Sequence, residues 1–175
     1  MRMTIAIIMA LLLAKQGVAQ FQPQDAASTV QFKIKNFGFN TTGIVTGLTG
    51  KIRFDPARVG DAAFDVTADA GTINTDNGMR DEHLRKEDYF NAAVYPHIRL
   101  VSGKISEGKK GAFLFSGQLK IKDRTKDLSF PFTAEPEGGG YRFKGSFTIN
   151  RKDFNVGGTS TISNELEVEI NVLAK

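Results

Sequence analysis

The residues of this 175-residue chain that could carry chemistry gather in two short stretches. The first is Arg80-Asp81-Glu82-His83-Leu84. The planar guanidinium fork of Arg80 suits the oxygens of a phosphorylated or otherwise polar head group, with His83 nearby as a second donor. A metal reading would make Asp81 and His83 ligands, but no third histidine or cysteine lies near to complete a zinc site. A structural reading makes the same residues an ion-pair network that pins their segment to its neighbours. The second stretch is Arg151-Lys152-Asp153-Phe154, where Arg151 and Asp153 lie two apart at a strand end and point the same way. Unpaired charge in an apolar interior is costly, so this pair is expected to close a buried network with the Arg80–Asp81 segment.

Catalytic patterns are missing. A hydrolase needs a nucleophile, a base and an orienting acid within mutual reach. Ser102, Ser116, Ser146 and Ser160 have no G-x-S-x-G context, and Asp81 with His83 makes at most half a dyad. There is no glycine-rich phosphate loop or dinucleotide fingerprint. The chain has no cysteine and two histidines, which excludes disulfides, thiolate metal sites and a cysteine nucleophile. No enzymatic activity, metal or cofactor is expected.

The elements that must position these residues are strands. Val30, Phe32 and Ile34 alternate with Gln31, Lys33 and Lys35, and Leu166, Val168, Ile170 and Val172 alternate with Glu165, Glu167, Glu169 and Asn171. Period-two alternation marks a strand with one dry and one wet face. The same pattern recurs at Ile44–Phe54, Phe64–Ala70, His97–Lys104, Phe113–Lys122, Leu128–Ala134 and Tyr141–Ile149. Eight strands result, with turns at Asp123-Arg124-Thr125 and Pro136–Gly140. Short links favour antiparallel neighbours, and no helical period recurs between strands. Between Ile73 and Pro96 the alternation stops, so short helical turns capped by Asp76 or Asn77 are expected there, with Met79, Leu84, Tyr89 and Phe90 at the mouth of the structure. The fold class is therefore all-β: an eight-stranded antiparallel barrel with a short helical insertion between strands 3 and 4. Closure removes the exposed edges of such a sheet, and eight strands enclose either packed side chains or one small ligand.

The predicted inner face is aromatic. Nine of the 14 phenylalanines fall on it: Phe32, Phe54, Phe64, Phe113, Phe115, Phe130, Phe132, Phe143 and Phe147. Rings beside small residues can interlock into a solid core or leave a tapering apolar slot. The first reading makes a filled barrel that acts through protein partners, the second a ligand-binding interior.

The N-terminus reads separately. Arg2 precedes a ten-residue apolar run, Ile5–Ala14, too short to span a bilayer, followed by Lys15-Gln16-Gly17-Val18-Ala19. This is the layout of a secretory signal peptide cleaved after Ala19, leaving residues 20–175 as one domain and predicting a periplasmic or secreted protein with no integral membrane segment. Arg2 and Lys15 supply two units of the net charge of +4, and what remains is well mixed in sign, with no case for nucleic acid. With 41% hydrophobic and 24% charged residues, wholesale disorder is excluded.

Five runs in order carry a resemblance: TTGIVTGLTGKIRFD (Thr41–Asp55), TINTDNGMRDEHL (Thr72–Leu84), DYFNAAVYPHI (Asp88–Ile98), GQLKIKDRTKDLSFPF (Gly117–Phe132) and FTINRKDFNVGG (Phe147–Gly158). Together they resemble the YceI-like family of exported, lipocalin-like lipid- or polyisoprenoid-binding proteins. The resemblance implies that the barrel interior is the site, holding an isoprenoid quinone, a polyprenyl lipid or a similar amphiphile, with Phe90 joining the nine phenylalanines in lining it. It also implies that homodimers form in some members. Ala27 and Asn36 stand where many members carry histidine, and Asp123 and Asn155 where glycine is common.

Overall fold

The structure is a computed structural model and describes residues 18–158 and 161–175. The expected signal peptide therefore lies outside the described residues apart from Val18 and Ala19. Among the described residues ten strands follow in chain order: β1 (Gln20–Phe21), β2 (Thr29–Asn36), β3 (Phe39–Val45), β4 (Thr49–Arg53), β5 (Ala63–Asp69), β6 (His97–Glu107), β7 (Phe113–Ile121), β8 (Arg124–Glu137), β9 (Gly140–Asn150) and β10 (Ile162–Ala174). One α-helix, α1 (Gly78–Arg85), lies between β5 and β6. The strands form a single antiparallel sheet in the order β1-β4-β5-β6-β7-β8-β9-β10-β2-β3.

Ten strands replace the expected eight for two local reasons. β1 is two residues long and too short to show a period. The predicted strand from Ile44 to Phe54 is two strands, β3 and β4, separated by a corner at Thr46-Gly47-Leu48. Gly47 sits at φ +72°, and the Thr46 backbone is bonded to the Thr72 hydroxyl and the Asp69 amide. The corner shifts the phase by one residue, so Val45 is buried and Ile44 faces outward, the reverse of the uniform parity read from the sequence.

The sheet curls and is tied to itself by backbone bonds. After β1 pairs with β4, the next residues pair with the end of β10: Gln22 N donates to Lys175 O at 2.7 Å, Lys175 N to Gln22 O at 3.0 Å, and Gln24 N to Leu173 O at 2.8 Å. Toward the α1 end, Ile44 and Asn74 exchange two bonds of 2.8 and 3.0 Å. These bonds satisfy part of the edges, but β1 and β3 end the order without a ladder to each other, so the sheet is curled and open where a closed barrel was expected.

Two turns show how local sequence fixes the register. The β8–β9 hairpin turns at Gly138-Gly139, both with positive φ, as a tight two-residue connection requires. In the β7–β8 hairpin the left-handed residue is Lys122, at φ +54°, and not Asp123 as the family pattern suggested. Asn155 does occupy the left-handed region, at φ +53°, a geometry asparagine tolerates better than most residues. The side chain of Asn77 caps α1 by accepting from Arg80 N at 3.0 Å.

The interior has two zones. Near the β1 end, Phe54 is 1% exposed and meets the rings of Phe113, Tyr141 and Phe143 at 5.1–5.3 Å, all edge-on. Such contacts favour the aromatic quadrupole and fill this end solidly. Toward the α1 end, Leu119, Ile121, Phe154 and Val156 form a second cluster with Tyr89 and Phe90 against it.

Candidate functional site

Between these zones lies a cavity of about 240 Å³. Its walls come from the inward positions of nearly every strand, because antiparallel strands place alternate residues on one face. Eight of the ten phenylalanines expected to line it do so: Phe32, Phe64, Phe90, Phe115, Phe130, Phe132, Phe143 and Phe147. Phe54 and Phe113 do not. Their rings are spent on each other and on Tyr141, Phe132 and Phe143, making the floor. Phe115 and Phe130 stack at 4.9 Å and Phe130 meets Phe147 at 4.7 Å, giving one wall a continuous aromatic surface.

The next two strands of the order, β10 and β2, add aliphatic lining. Val30 and Ile34 of β2 and Leu166, Val168 and Ile170 of β10 face the cavity. The alternation that defined these strands already placed them inward, although attention to phenylalanine alone left them out. Phe154 and Val156 also line it, and they were missed because they follow β9 in a 3₁₀ turn, Arg151–Phe154, where the period of two ends.

Polar lining is sparse and gathers at the α1 end. Arg80 lines the cavity and is anchored by Thr75, donating from Nε to the Thr75 hydroxyl and from a terminal nitrogen to the Thr75 carbonyl, each at 2.7 Å. Thr75 in turn donates its hydroxyl and its backbone N–H to Asp81, at 2.5 and 2.9 Å. The Thr75 hydroxyl bond, aided by the Thr75 N–H and the nearby Arg85 and Arg80 charges, holds the buried Asp81 carboxyl below its ordinary pKa despite desolvation. Arg80 and Asp81 are thus linked through Thr75. Asn36 also lines the cavity, and its side-chain oxygen is buried without a hydrogen-bond partner.

Three sequence expectations need correction. His83 is exposed, its ring edge-on to Tyr89 at 4.9 Å, and it does not line the cavity. Met79 is 83% exposed, outside the apolar lining. Arg151 does line the cavity and is buried, and among the described residues it donates to carbonyls: Val156 O at 2.8 Å, Ser163 O at 2.9 Å, Ile162 O at 3.2 Å and Gly157 O. Asp153 is exposed and points away from the interior. Backbone carbonyls accept hydrogen bonds from the guanidinium in place of the expected Asp153 carboxylate. Burial pushes the Arg151 pKa down from its ordinary value. Among the described residues no three His, Asp or Glu side chains group in a way that could hold a metal ion.

Fold and cavity together define an all-β protein whose antiparallel sheet curls around an apolar cavity. The sequence profile of the YceI-like domain matches residues 21–174, and the chain belongs to that family. It is 34% identical over 138 residues to a UPF0312 protein of Pseudomonas fluorescens, covering 71% of this chain and 69% of that one. It is 30% identical over 178 residues to a UPF0312 protein of Pseudomonas savastanoi, covering 95% and 92%. Among solved structures, Burkholderia cenocepacia BcnA aligns with a TM-score of 0.81 at 24% identity, covering 86% of this chain and 98% of that one. A polyisoprenoid binding domain from Saccharophagus degradans aligns with a TM-score of 0.70 at 14% identity, covering 89% and 97%. These two likenesses show the fold.

Proposed function

We propose that this protein is exported and holds an isoprenoid, a quinone or polyprenyl lipid or a similar amphiphile, in its apolar cavity, for carriage or sequestration. The observation that carries this reading is the cavity itself. At about 240 Å³ it exceeds the roughly 150 Å³ of an apolar cavity that holds one benzene ring, so by simple scaling it accepts about ten carbons, or two isoprene units. Each buried CH₂ contributes about 0.8 kcal/mol, so such a chain gains about 8 kcal/mol before the cost of association, with no polar anchor required. Longer tails extend toward the α1 end, where Arg80 and the unpartnered Asn36 oxygen meet the polar head. The family and the fold shared with a polyisoprenoid binding domain support the same chemistry. Export is supported by the N-terminal pattern and by β1 starting at Gln20, directly after the expected cut. The site binds and does not catalyse: its walls offer solvation, and the charged residues among them are already committed to backbone and hydroxyl partners.

Native mass spectrometry of the protein exported by its own host, followed by organic extraction, tests this directly. A stoichiometric adduct of isoprenoid mass is expected. A clean apo mass that stays unchanged after incubation with quinones and polyprenyl lipids would overturn the reading in favour of a protein-binding barrel.

A further inference from the structure

The β2–β3 hairpin turns at Phe37-Gly38, with φ of +49° and +83° and Asn36 paired to Phe39 across the turn. A two-residue turn with φ > 0 at both positions favours Asn-Gly or Asp-Gly, and a bulky side chain in the left-handed region is disfavoured. Here the position holds phenylalanine. Phe37 is 73% exposed and Phe39 79%, so neither ring recovers that cost by packing within the fold. Retained strain of this kind points to a use for the side chain outside the fold.

The place of the tip indicates the use. Phe37 follows Asn36 and Phe39 lies two residues before Thr41, both of which line the cavity, and the exposed Met79 precedes Arg80, which lines it too. Three exposed apolar side chains thus stand beside the end of the cavity opposite the Phe54 floor. The hairpin carries no charged side chain from Asn36 to Ile44, in a chain where 24% of residues are charged. Around it the charges are mixed, with Lys33 opposite Glu167 on β10 and Lys35 and Asp76 of opposite sign in the flanking sequence, so no strong field of either sign selects a partner. A convex, uncharged aromatic tip suits a soft apolar medium, whereas a rigid protein partner would need a matching groove.

We propose that the Phe37-Gly38-Phe39 tip, with Met79, inserts into the interface of a phospholipid bilayer and sets the α1 end of the cavity against it, so that apolar cargo passes between bilayer and cavity without crossing water. The transfer step rests on the binding function proposed above; the docking step does not. Insertion is driven by apolar burial and not by charge, so it occurs on zwitterionic vesicles and persists at raised ionic strength.

The chain has no tryptophan, so Phe39→Trp gives a single reporter at the tip. Its emission is expected to shift to the blue with phosphatidylcholine vesicles and to be quenched by brominated acyl chains. Vesicle flotation of the otherwise unchanged protein is compared with Phe37→Asn/Phe39→Ser, in which Asn relieves the turn and the fold is kept. The double variant is expected to lose about tenfold or more in vesicle partition, since two aromatic side chains no longer leave water, while binding decylubiquinone as before. Absence of flotation by the unchanged protein, or equal flotation by the variant, would overturn the docking proposal whatever the quinone result. A variant that turns a dimer into a monomer, with no vesicle binding by either form, would also overturn it and assign the tip to a contact between copies. Failure of both proteins to bind decylubiquinone, with flotation intact, would sink the cargo reading and leave docking standing.

Discussion

Residues with the same chemistry do different work in this interior. Phe147 is half-buried because one face of its ring meets the cavity, whereas Phe54 is 1% exposed because rings surround it on every side. Phe147→Glu is therefore expected to fold and to abolish the isoprenoid adduct in native mass spectrometry. Phe54→Ala is expected to lower stability by about 3–5 kcal/mol in a urea titration while leaving bound lipid at stoichiometry in the folded fraction. Asp81 sets an acid limit at the same scale. Its folded pKa lies below the unfolded value, so its ionised form stabilises the fold above about pH 4, and that contribution is lost as pH falls through the folded pKa. Asp65 and Glu137, held down by hydrogen bonds from Arg99 and Arg142, act in the same direction. The melting temperature should therefore drop from pH 5 toward about pH 3, and Asp81→Asn should start lower at neutral pH and show a shallower acid drop.

At the level of elements, alternation was a reliable guide wherever a strand kept one face dry. β2, β5, β7, β9 and β10 were legible for that reason, as was the helical character of the segment between β5 and β6, where alternation stops. The β3–β4 corner was not, because Gly47 changes the phase of the chain and periodicity carries no record of where a bend falls. Arg151 shows a second limit. Sequence spacing paired it with Asp153, but a 3₁₀ turn after β9 sends the guanidinium inward to the carbonyls of Val156, Ile162 and Ser163, binding this turn to the start of β10. Arg151→Leu leaves several buried carbonyls without donors. A loss on the order of 3 kcal/mol in chemical denaturation is expected, with faster amide exchange concentrated at residues 155–158 and 161–163.

Across the whole molecule, the curl of the sheet depends on contacts between residues far apart in sequence. The stretch from Gln20 to Gln24 joins β4 to the end of β10, and Phe21 packs on Tyr141 at 5.5 Å. Removing residues 1–24 takes Phe21 from Tyr141 and the Gln22 and Gln24 bonds from the end of β10, and a drop of several degrees in melting temperature is expected in a thermal scan, with the cavity wall at Phe115 and Phe147 intact. By itself the sequence determined the all-β class, the inward face of most strands and the apolar character of what they enclose, because a period of two and side-chain polarity are properties of neighbouring residues. The tertiary structure alone decided that Phe54 and Phe113 pack into a floor while Phe147 meets the cavity, that Arg80 lines the cavity and His83 faces solvent, and that Arg151 donates to a set of carbonyls. Those outcomes depend on how the sheet curls and on which distant residues arrive at the same point, and local sequence does not contain that information.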